Sequence, residues 1–595
     1  MQCHCCQAEN EDGARFCENC GARLEASCPA CGAPVSAGKN FCRSCGAALT
    51  TASAQPAPVE SYTPRHLAER ILGLRAALEG ERKQVTVLFA DLKGSLELLA
   101  DRDPEDARKL LDPVLERMME AVHHYEGTVN QVMGDGIMAL FGAPLAHEDH
   151  AVRACYAALR MQEAIRRYAD EVRHAHGIEV RIRVGINSGE VVVRSIGSDL
   201  RMDYTAVGQT THLAARMEQL ATPGTIRLTA DTLALAEGYI EVKSFGPIPV
   251  KGLSGPVEVY ELTGTGAART RLQAARARGL TRFVGRDTEM DLLRRAADDA
   301  RHGRGQMVAV VGEPGVGKSR LYYEFIHSHR ADGWLILESG SVSYGKATPY
   351  LPLADLLRDY FKIDSRDDTR GIRVKVTGGL LTLDEALKET VPVALWLLDA
   401  LPDDSPFLAL DPAERRRQTL TAVKRILLRE NQLHPLMLVF EDLHWIDSET
   451  QTFLDSLVDS LPASRILLAV NYRPEYRHGW GNKTYYHQIR IDPLAPESAE
   501  ALLEALVGAD ASTQALKKLL IARTAGSPLF LEESVRTLVE TGALTGERGA
   551  YRLVQAPDAL QVPATVQAII ASRIDRLDPA DKRLLQAAAV VGTHV

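Results

Sequence analysis

The stretch KQVTVLFAD, residues 83–91, is a short apolar run that ends in a carboxylate. Such a run, rich in β-branched residues, predicts a buried strand with Asp91 at its end. A helical pattern follows over residues 104–124. Two more predicted strands, 128–132 and 137–141, are joined by Met-Gly-Asp-Gly, whose Asp-Gly pair is typical of a hairpin turn.

The order of elements around this strand predicts the fold of its domain. A long helical pattern covers residues 150–172, the strand VRIRVGI follows at 180–186, and a helix at 208–221 precedes three more strands. Strand, helix, hairpin, helix and strand is the order of a ferredoxin-like sheet with helices on one face. We therefore predict an α+β sandwich over residues 83–264.

The rest of the 595-residue chain divides by composition, and its length suggests roughly three to four domains. Residues 1–48 are rich in cysteine, and residues 49–82 predict a linker and a connector helix. The Gly-, Ala- and Arg-rich stretch 265–280 predicts a second linker before another α/β domain over 281–480. Helical patterns dominate residues 481–595, and we expect the chain to stop inside a truncated helical region.

Nine of the ten cysteines lie before residue 46, in two copies of one pattern. FCENCGARL is echoed by FCRSCGAAL, and each half supplies two C-x-x-C pairs. Four thiolates at this spacing suit a closed tetrahedral Zn²⁺ site, which is structural because no position is open for chemistry. Cys5 remains an alternative ligand to Cys3 or Cys6. The predicted ligands of this double zinc ribbon are Cys3, Cys6, Cys17, Cys20, Cys28, Cys31, Cys42 and Cys45.

The composition is that of a globular protein, with 45% hydrophobic residues, 25% charged residues and a formal net charge of -9. Surfaces that follow nucleic-acid phosphates usually carry a basic excess, so a nucleic-acid partner is not expected. No apolar run reaches about 18 residues and no leader precedes the first domain, so we expect a cytoplasmic protein without a membrane partner. The tenth cysteine, Cys155, is expected to be a core thiol.

Two carboxylates are candidates for a metal site. Asp91 ends a predicted strand and Asp135 lies at the tip of a predicted hairpin, so neighbouring strands can bring them together. Paired carboxylates with carbonyls and water suit Mg²⁺, and two such ions can clamp the attacking and leaving oxygens of a displacement at phosphorus. The alternative is a turn aspartate and an unrelated strand-end cap.

Around these carboxylates the sequence resembles the class III nucleotidyl cyclase catalytic domain, over residues 83–263. The motifs that carry the resemblance are VLFADLKGS, MGDGIMALFGAP, VRIRVGINSGEVV, YTAVGQTTHLAARM and VKGLSGPVEVYEL. The resemblance implies that Asp91, Asp135 and the Leu92 carbonyl bind two Mg²⁺ or Mn²⁺ ions. It also implies attack of a 3′-hydroxyl on the α-phosphate of a nucleoside triphosphate, releasing pyrophosphate and a cyclic nucleotide.

The same resemblance implies two cationic site residues and a dimer. Arg216 would stabilise charge on the α-phosphate and Lys251 would hold the terminal phosphates, since both carry the positive charge that these roles need. Because active sites of the family form between two such domains, a homodimer is implied.

Two positions depart from the family's pattern. Gln131 stands where adenylyl enzymes usually carry a purine-reading lysine, and its partner in base reading falls on Thr205. An amide both donates and accepts, so ATP and GTP both stay open as substrate. His212 stands in place of a ribose-orienting asparagine, and its bulkier ring either orients the ribose or crowds it.

The segment HEDHAVRAC, residues 147–155, contains a His-x-x-His spacing that suits a metal site. We favour a helix N-terminus instead, in which Glu148 and Asp149 complement the helix dipole.

Residues 312–319, GEPGVGKS, match the phosphate-binding loop G-x-x-x-x-G-K-[ST] between a predicted strand and a predicted helix. Backbone amides would hold phosphates, Lys318 would reach the β and γ oxygens, and Ser319 would bind Mg²⁺. Downstream, the strand LMLVFEDLHWID contains Glu441 and Asp442, the acids of a Walker B motif. The predicted ATP site therefore includes Gly312, Gly315, Gly317, Lys318, Ser319 and Glu441.

This half of the chain resembles the regulatory AAA-like ATPases of the STAND group over residues 280–595. FVGRDTEM, VNYRPEY and AGSPLFLEE carry the resemblance together with the two Walker motifs. It implies that Asp442 positions the attacking water, that Arg473 is a sensor and that a winged helix begins near residue 561. It further implies a protein or small-molecule effector at the C-terminal region.

Together these patterns predict a multidomain α/β signalling protein, with zinc ribbons, a dimeric cyclase domain and a P-loop ATPase that regulates it. Two alternatives stay open. The first, motivated by Gln131 and His212, is a catalytically degenerate cyclase-like module for dimerisation or nucleotide binding. The second is a DNA-binding transcriptional switch, against which the lack of a basic patch counts.

Overall fold

The computed structural model describes residues 26–27, 34–35, 81–93, 103–193, 209–250, 252, 255–328, 333–364, 366–554, 563–575, 577 and 579–591. The chain divides into two compact units, Met1–Ala68 and Glu69–Val595. In the first unit the described residues form two short antiparallel strands, β1 (Ala26–Ser27) and β2 (Pro34–Val35). The eight predicted zinc ligands, Thr205 and Lys251 lie outside the described residues.

A seven-stranded sheet forms the first α/β domain of the second unit. Its strands are β3 (Glu81–Leu92), β4 (Thr128–Met133), β5 (Gly136–Phe141), β6 (Ile182–Val193), β7 (Ile226–Thr229), β8 (Ile240–Pro249) and β9 (Pro256–Thr265). The order is β4-β5-β3-β6-β7-β9-β8, and only the β6–β7 pair is parallel among these described strands. Strand β3, which carries the opening sequence motif, is paired on both sides, as its apolar sequence predicts.

In the described part of this domain four helices accompany the sheet, namely α1 (Pro104–His124), α2 (His150–His176), α3 (Gln209–Leu220) and α4 (Ala230–Ala236). Helix α1 begins at a proline that follows Asp103, whose side chain accepts a hydrogen bond from the Glu105 amide at 3.0 Å. This is a favourable helix start, because the proline lacks a donor where none is needed. Helices α1, α2 and α4 share one apolar core with the sheet.

Side chains of the central strands alternate between the two faces of the sheet. Leu88 and Ala90 of β3 pack into the core shared with α1 and α2. Gly185 of β6 faces the other way, and a Cβ there would lie 2.0 Å from the Glu218 amide nitrogen of α3. The α+β sandwich is confirmed, but the prediction that its helices lie on one face is wrong. Helix α3 covers the opposite face because Gly185 lets the two backbones approach.

Cys155 lies in α2 and is fully buried among apolar side chains of this core. Burial raises the pKa of its thiol to about 12. The prediction of a core thiol is therefore confirmed, and the raised pKa makes this thiol a poor nucleophile.

A five-stranded parallel sheet forms the second α/β domain. Its strands are β10 (Gln306–Val311), β11 (Leu335–Gly340), β12 (Leu436–Glu441), β13 (Ile466–Tyr472) and β14 (Tyr486–Arg490), in the order β11-β12-β13-β10-β14. Its helices are α6 (Asp287–Arg301), α7 (Lys318–Ile326), α8 (Leu351–Tyr360), α9 (Thr369–Leu383), α10 (Val391–Leu397), α11 (Pro412–Leu433) and α12 (Ser448–Val458). In this order β13 separates β10 from β12, and the carboxyl ends of all three strands meet at one edge.

The stretch predicted as the second linker contains a short helix, α5 (Arg271–Ala277), that begins in a capping box at Thr270. After β14 the chain is mainly helical, as predicted, with α13 (Pro496–Val507), α14 (Gln514–Thr524), α15 (Pro528–Glu540), α16 (Ala564–Ile574) and α17 (Pro579–Val591). Two short strands, β15 (Leu544–Thr545) and β16 (Arg552–Leu553), pair between α15 and α16. None of the described helices has the length and apolarity needed to cross a bilayer.

Candidate nucleotide sites

The first candidate site lies where β3 ends beside the β4–β5 turn. Asp91 is paired in register with Gly136, and the Leu92 amide donates to the Asp135 carbonyl at 3.3 Å. Burial raises the pKa of Asp91, and the charge of Asp135 and a side-chain hydrogen bond with it raise that pKa further. The two predicted carboxylates are thus neighbours, as the hairpin pattern suggested.

Gly136 makes this approach possible. A Cβ at this position would lie 2.7 Å from the Ala90 carbonyl oxygen and 2.9 Å from Oδ1 of Asp91. Contacts this short are not tolerated, so any larger residue would displace the Asp91 carboxylate. The glycine of the Asp-Gly turn therefore serves the site as well as the turn.

A cation also belongs to this site, and the sequence interpretation missed it. Arg183 of β6, opposite Asp91 in register, donates to the Asp91 carboxylate at 3.0 Å and lies 2.8 Å from Glu218 of α3. The alternation of VRIRVGI placed Arg183 on the face of Gly185, but sequence alone did not reveal what lay across from it.

In the part of the chain that the structure describes, no group of three or more His, Cys, Asp and Glu side chains is arranged to hold a metal ion.

Helix α3 carries two further predicted site residues. His212 and Arg216 line one cavity of about 400 Å³, together with Gln219 and with Val250 and Gly252, the neighbours of Lys251. Nη1 of Arg216 donates to Gln219 at 2.6 Å. The helix is held to β6 because the side chain of Asn187 donates to the carbonyl of its Thr210 at 2.8 Å. Gln131 is exposed on β4 and is not among the residues that line the cavity.

The second candidate site is the loop between β10 and α7. Gly315 and Gly317 have φ values of 81° and 102°, which only glycine adopts readily. Lys318 is buried at the first position of α7 and donates from Nζ to the carbonyls of Gly312 and Glu313, both at 3.0 Å. The loop thus curves around the Lys318 ammonium group at the start of α7.

Two acids face this loop from the end of β12. Burial, and then the charge of Asp442, raise the pKa of Glu441 to about 8, while a hydrogen bond from Ser319 opposes the rise. Asp442 has a left-handed backbone with φ of 57°, and its amide donates to Oδ1 of Asn471 at 2.9 Å. The structure therefore brings Ser319, Lys318 and both predicted acids together.

Asn471 is a second residue that the sequence interpretation missed. It is fully buried in β13, and its Nδ2 has no hydrogen-bond partner among the described residues. A single amide side chain in the mainly apolar strand ILLAVNY is the feature of the sequence that could have indicated this residue. Two residues further on, Arg473 is buried with its guanidinium 4.9 Å from the centre of the Trp445 ring.

Three family models match this chain. Residues 3–46 match the double zinc ribbon, residues 79–264 match the adenylate and guanylate cyclase catalytic domain, and residues 282–470 match the AAA ATPase domain. The chain joins a cyclase domain to an AAA ATPase domain, behind a double zinc ribbon. The predicted combination of domains is confirmed.

Similar proteins include an uncharacterized protein of Rhizobium meliloti, 26% identical over 90% of this chain and 51% of its own length. Adenylate cyclase 1 of the same organism is 30% identical over 36% of this chain and 33% of its length. The chain therefore spans about half or less of these relatives. Among solved structures, an adenylyl cyclase from P. aeruginosa is 33% identical, with 32% of this chain and 98% of that chain covered and a TM-score of 0.30.

The start of helix α2 in the cyclase domain makes contacts that the sequence did not suggest. His150 accepts or donates a hydrogen bond at Nδ1 with the Thr86 hydroxyl at 2.7 Å, and burial lowers its pKa to about 4. Asp149 precedes the helix without a side-chain cap, and its carboxylate lies 2.8 Å from Nε of Arg153. Glu148 forms an ion pair with Arg473 of the ATPase domain. The helix start was predicted correctly, but the two acids bind arginines rather than the helix terminus.

The ATPase loop is also covered by the C-terminal helical region. The Leu529 amide donates to the Gly315 carbonyl at 3.2 Å, at the start of α15. Arg573 of α16 lies 2.9 Å from Glu313. On its other side, α16 reaches β3 of the cyclase domain, where Nε2 of Gln84 donates to Gln567 at 3.2 Å and Lys83 pairs with Asp575.

Proposed function

We propose that the cyclase domain converts ATP or GTP to a 3′,5′-cyclic nucleotide and pyrophosphate, and that the ATPase domain regulates it. The observation that carries the proposal is the placement of Asp91, at the end of β3, beside Asp135, in the β4–β5 turn of a cyclase domain. Nucleotidyl transfer at phosphorus needs charge stabilisation at oxygen, and paired carboxylates are the usual holders of the ions that supply it.

The residues present fit a divalent cation. Asp135 raises the pKa of Asp91, which means that the two negative charges repel each other and that a cation between them would relieve the repulsion. Asp91, Asp135 and the Leu92 carbonyl would hold Mg²⁺ or Mn²⁺. Bound there, two such ions would neutralise charge on the attacking and leaving oxygens.

The chain's own side chains have separate tasks in this proposal. Arg216 would stabilise charge on the α-phosphate, and Lys251 would hold the terminal phosphates. His212, in the same cavity as Arg216, would orient the ribose. Gln131 and Thr205 would read the base.

In the ATPase domain we propose a STAND-type switch that binds Mg-ATP. Lys318, Ser319 and Glu441 would contact the nucleotide and its ion, Asp442 would position the attacking water and Arg473 would act as sensor. The buried contacts between this domain and the cyclase domain support a regulatory role. An effector at the C-terminal region, a dimer through the cyclase domain and two Zn²⁺ ions on the eight cysteines complete the proposal.

The alternative, a degenerate cyclase-like module that only binds nucleotide or dimerises, is favoured by one observation. Arg183 already balances the Asp91 carboxylate, so this carboxylate has a partner without a metal ion. The two proposals differ in whether the protein makes a cyclic nucleotide.

One assay tests the proposal. The full chain is incubated with Mn²⁺ and either ATP or GTP, and the products are resolved by chromatography beside an Asp91→Ala control. We expect a cyclic nucleotide from the wild-type protein only. If neither triphosphate gives a cyclic product above the control, the cyclase proposal is wrong and the degenerate module is supported.

A further inference from the structure

A glutamate of the cyclase domain is buried against Arg473, a residue of the proposed nucleotide site of the ATPase domain. The side chain of Glu148 is 3% exposed and pairs with Arg473, whose side chain is 6% exposed. Charges so far from water interact strongly, and each would be costly to leave unpaired. Loss of Glu148 would therefore leave Arg473 as a buried charge that needs another anion.

The electrostatic neighbours of this pair define where it lies. Both Glu148 and Arg473 shift the pKa values of Lys318 and Asp442, although burial has the largest effect on each. Arg473 also stacks over Trp445, which follows the Walker B acids. The Glu148 carboxylate thus occupies the same electrostatic neighbourhood as the phosphate-binding lysine.

The segment that carries Glu148 is fixed to the ATPase domain by its next residue. Asp149 accepts a hydrogen bond from the Ser343 hydroxyl at 2.5 Å, and Arg153 donates to the same hydroxyl at 2.6 Å. Arg153 is fully buried and also binds the Tyr125 carbonyl at 3.0 Å. Position and orientation of Glu148 are therefore set by both domains.

A carboxylate and a phosphate present similar acceptors to an arginine, since both match its planar pair of donors. Arg473 can bind Glu148 or a terminal phosphate, and the two anions repel each other. We propose that Glu148 is a residue of the ATPase site that holds Arg473 in place of the γ-phosphate, and that ATP binding exchanges one partner for the other. The inference rests on the proposed binding of ATP at Lys318.

Two connections lead from this exchange to the cyclase site. His150, two residues after Glu148, is hydrogen-bonded to Thr86 in the strand that ends at Asp91. Helix α16 forms a second connection, because it contacts Glu313 in the phosphate loop and Gln84 at the start of the same strand. Release of Glu148 would thus act on β3, the strand that carries Asp91, the proposed metal ligand.

The test measures ATP binding rather than cyclase output. All proteins are full chains that carry Asp91→Ala, and binding of a fluorescent non-hydrolysable ATP analogue is titrated. The part of the binding that Lys318→Ala abolishes belongs to the ATPase site. We expect Glu148→Gln to bind the analogue there about tenfold more tightly, which corresponds to ~1.4 kcal/mol, because Arg473 is freed.

Two further variants make the test specific. Glu163→Gln, at a half-exposed glutamate of helix α2, should leave the affinity unchanged. Arg271→Gln should weaken binding, because Arg271 lies 3.4 Å from Glu148 and its loss leaves that carboxylate to Arg473 alone. If Glu148→Gln binds no more tightly than Glu163→Gln, or if Glu148→Gln and Arg271→Gln shift the affinity in the same direction, the inference is overturned.

The outcome separates this inference from the proposed function. A wild-type protein that makes cyclic nucleotide while Glu148→Gln binds ATP unchanged refutes the inference alone. Tighter binding by Glu148→Gln in a chain that makes no cyclic product supports the inference and refutes the cyclase proposal. In an active chain we expect Glu148→Gln to make cyclic nucleotide output insensitive to Lys318→Ala.

Discussion

Arg183 and Asp91 face each other across the β3–β6 pair, with Nη2 of Arg183 3.0 Å from the carboxylate. The same guanidinium reaches Glu218 at 2.8 Å, so one cation serves two acids, and Asp135 lies close by. In both Asp91 and Glu218, burial raises the pKa and Arg183 lowers it. Arg183 is therefore the group that opposes the effect of burial on both acids.

Replacing Arg183 with leucine should make stability fall more steeply as pH rises. Without Arg183 the pKa values of Asp91 and Glu218 rise further above those of the unfolded chain, so stability falls as pH rises through that window. We expect a loss of about 1–3 kcal/mol at about pH 8 and much less near pH 4. Thermal unfolding of the metal-free chain at both pH values measures this. Arg166→Leu, on the exposed side of α2, serves as the control, and an equal loss at both pH values would contradict the explanation.

Replacing Gly136 with alanine should impair catalysis more than folding. The added Cβ meets the Asp91 carboxylate and the Ala90 carbonyl, and a displacement of about 1 Å at a reacting site costs roughly 10²-fold in rate. Gly134→Ala is the matched control. Gly134 has φ of 69° but no atom within 4 Å of an added Cβ, so it should lose about 1–2 kcal/mol of stability and retain the rate. Equal rates of cyclic nucleotide formation by the two variants would show that catalysis does not depend on the position of the Asp91 carboxylate.

Replacing His212 with asparagine should raise cyclase activity. Asparagine supplies one hydrogen-bond donor in less space, and one oriented donor is worth up to ~10²-fold in rate at such sites. We expect kcat to rise roughly tenfold with the substrate unchanged. A steady-state comparison with ATP and GTP tests this. A fall in kcat would show instead that the imidazole orients the ribose better than asparagine does.

Replacing Glu441 with glutamine should stabilise the nucleotide-free chain at high pH only. Burial and Asp442 raise the pKa of Glu441 to about 8. Between the unfolded value near ~4.3 and 8, the folded state keeps a proton that the unfolded state has lost, so wild-type stability falls as pH rises through this window. Glutamine has no proton to lose, so its advantage should grow to about 5 kcal/mol at the top of the window. Melting temperatures measured across the pH range test this, and an advantage that is constant with pH would argue against it.

Much of both sites followed from local sequence. The apolar run before Asp91 and the Asp-Gly turn at Asp135 predicted neighbouring strands, because a tight hairpin leaves few ways to pair them. The phosphate loop and the Walker acids were equally local, since each needs only a strand end and a short turn. Arg183 was not found because its partner lies on another strand, and register decides which side chains meet.

The face of the sheet that α3 covers could not be predicted from its hydrophobic pattern alone. Its amphipathic sequence fits either face of the sheet, and the missing side chain of Gly185 decides which face accepts it. The helix start at residues 147–150 shows the same limit. Its acids looked like dipole partners because sequence shows only the helix they precede, whereas the arginine that binds Glu148 is more than three hundred residues away.

The sequence by itself determined the order of the domains, the two nucleotide motifs and the strands that present them, because these depend on periodicity, turns and short spacings. Only the tertiary structure decided which charges share a site. Ion pairs such as Arg183 with Asp91 and Glu148 with Arg473 join residues that no local rule connects, and their strength comes from burial that the whole fold creates.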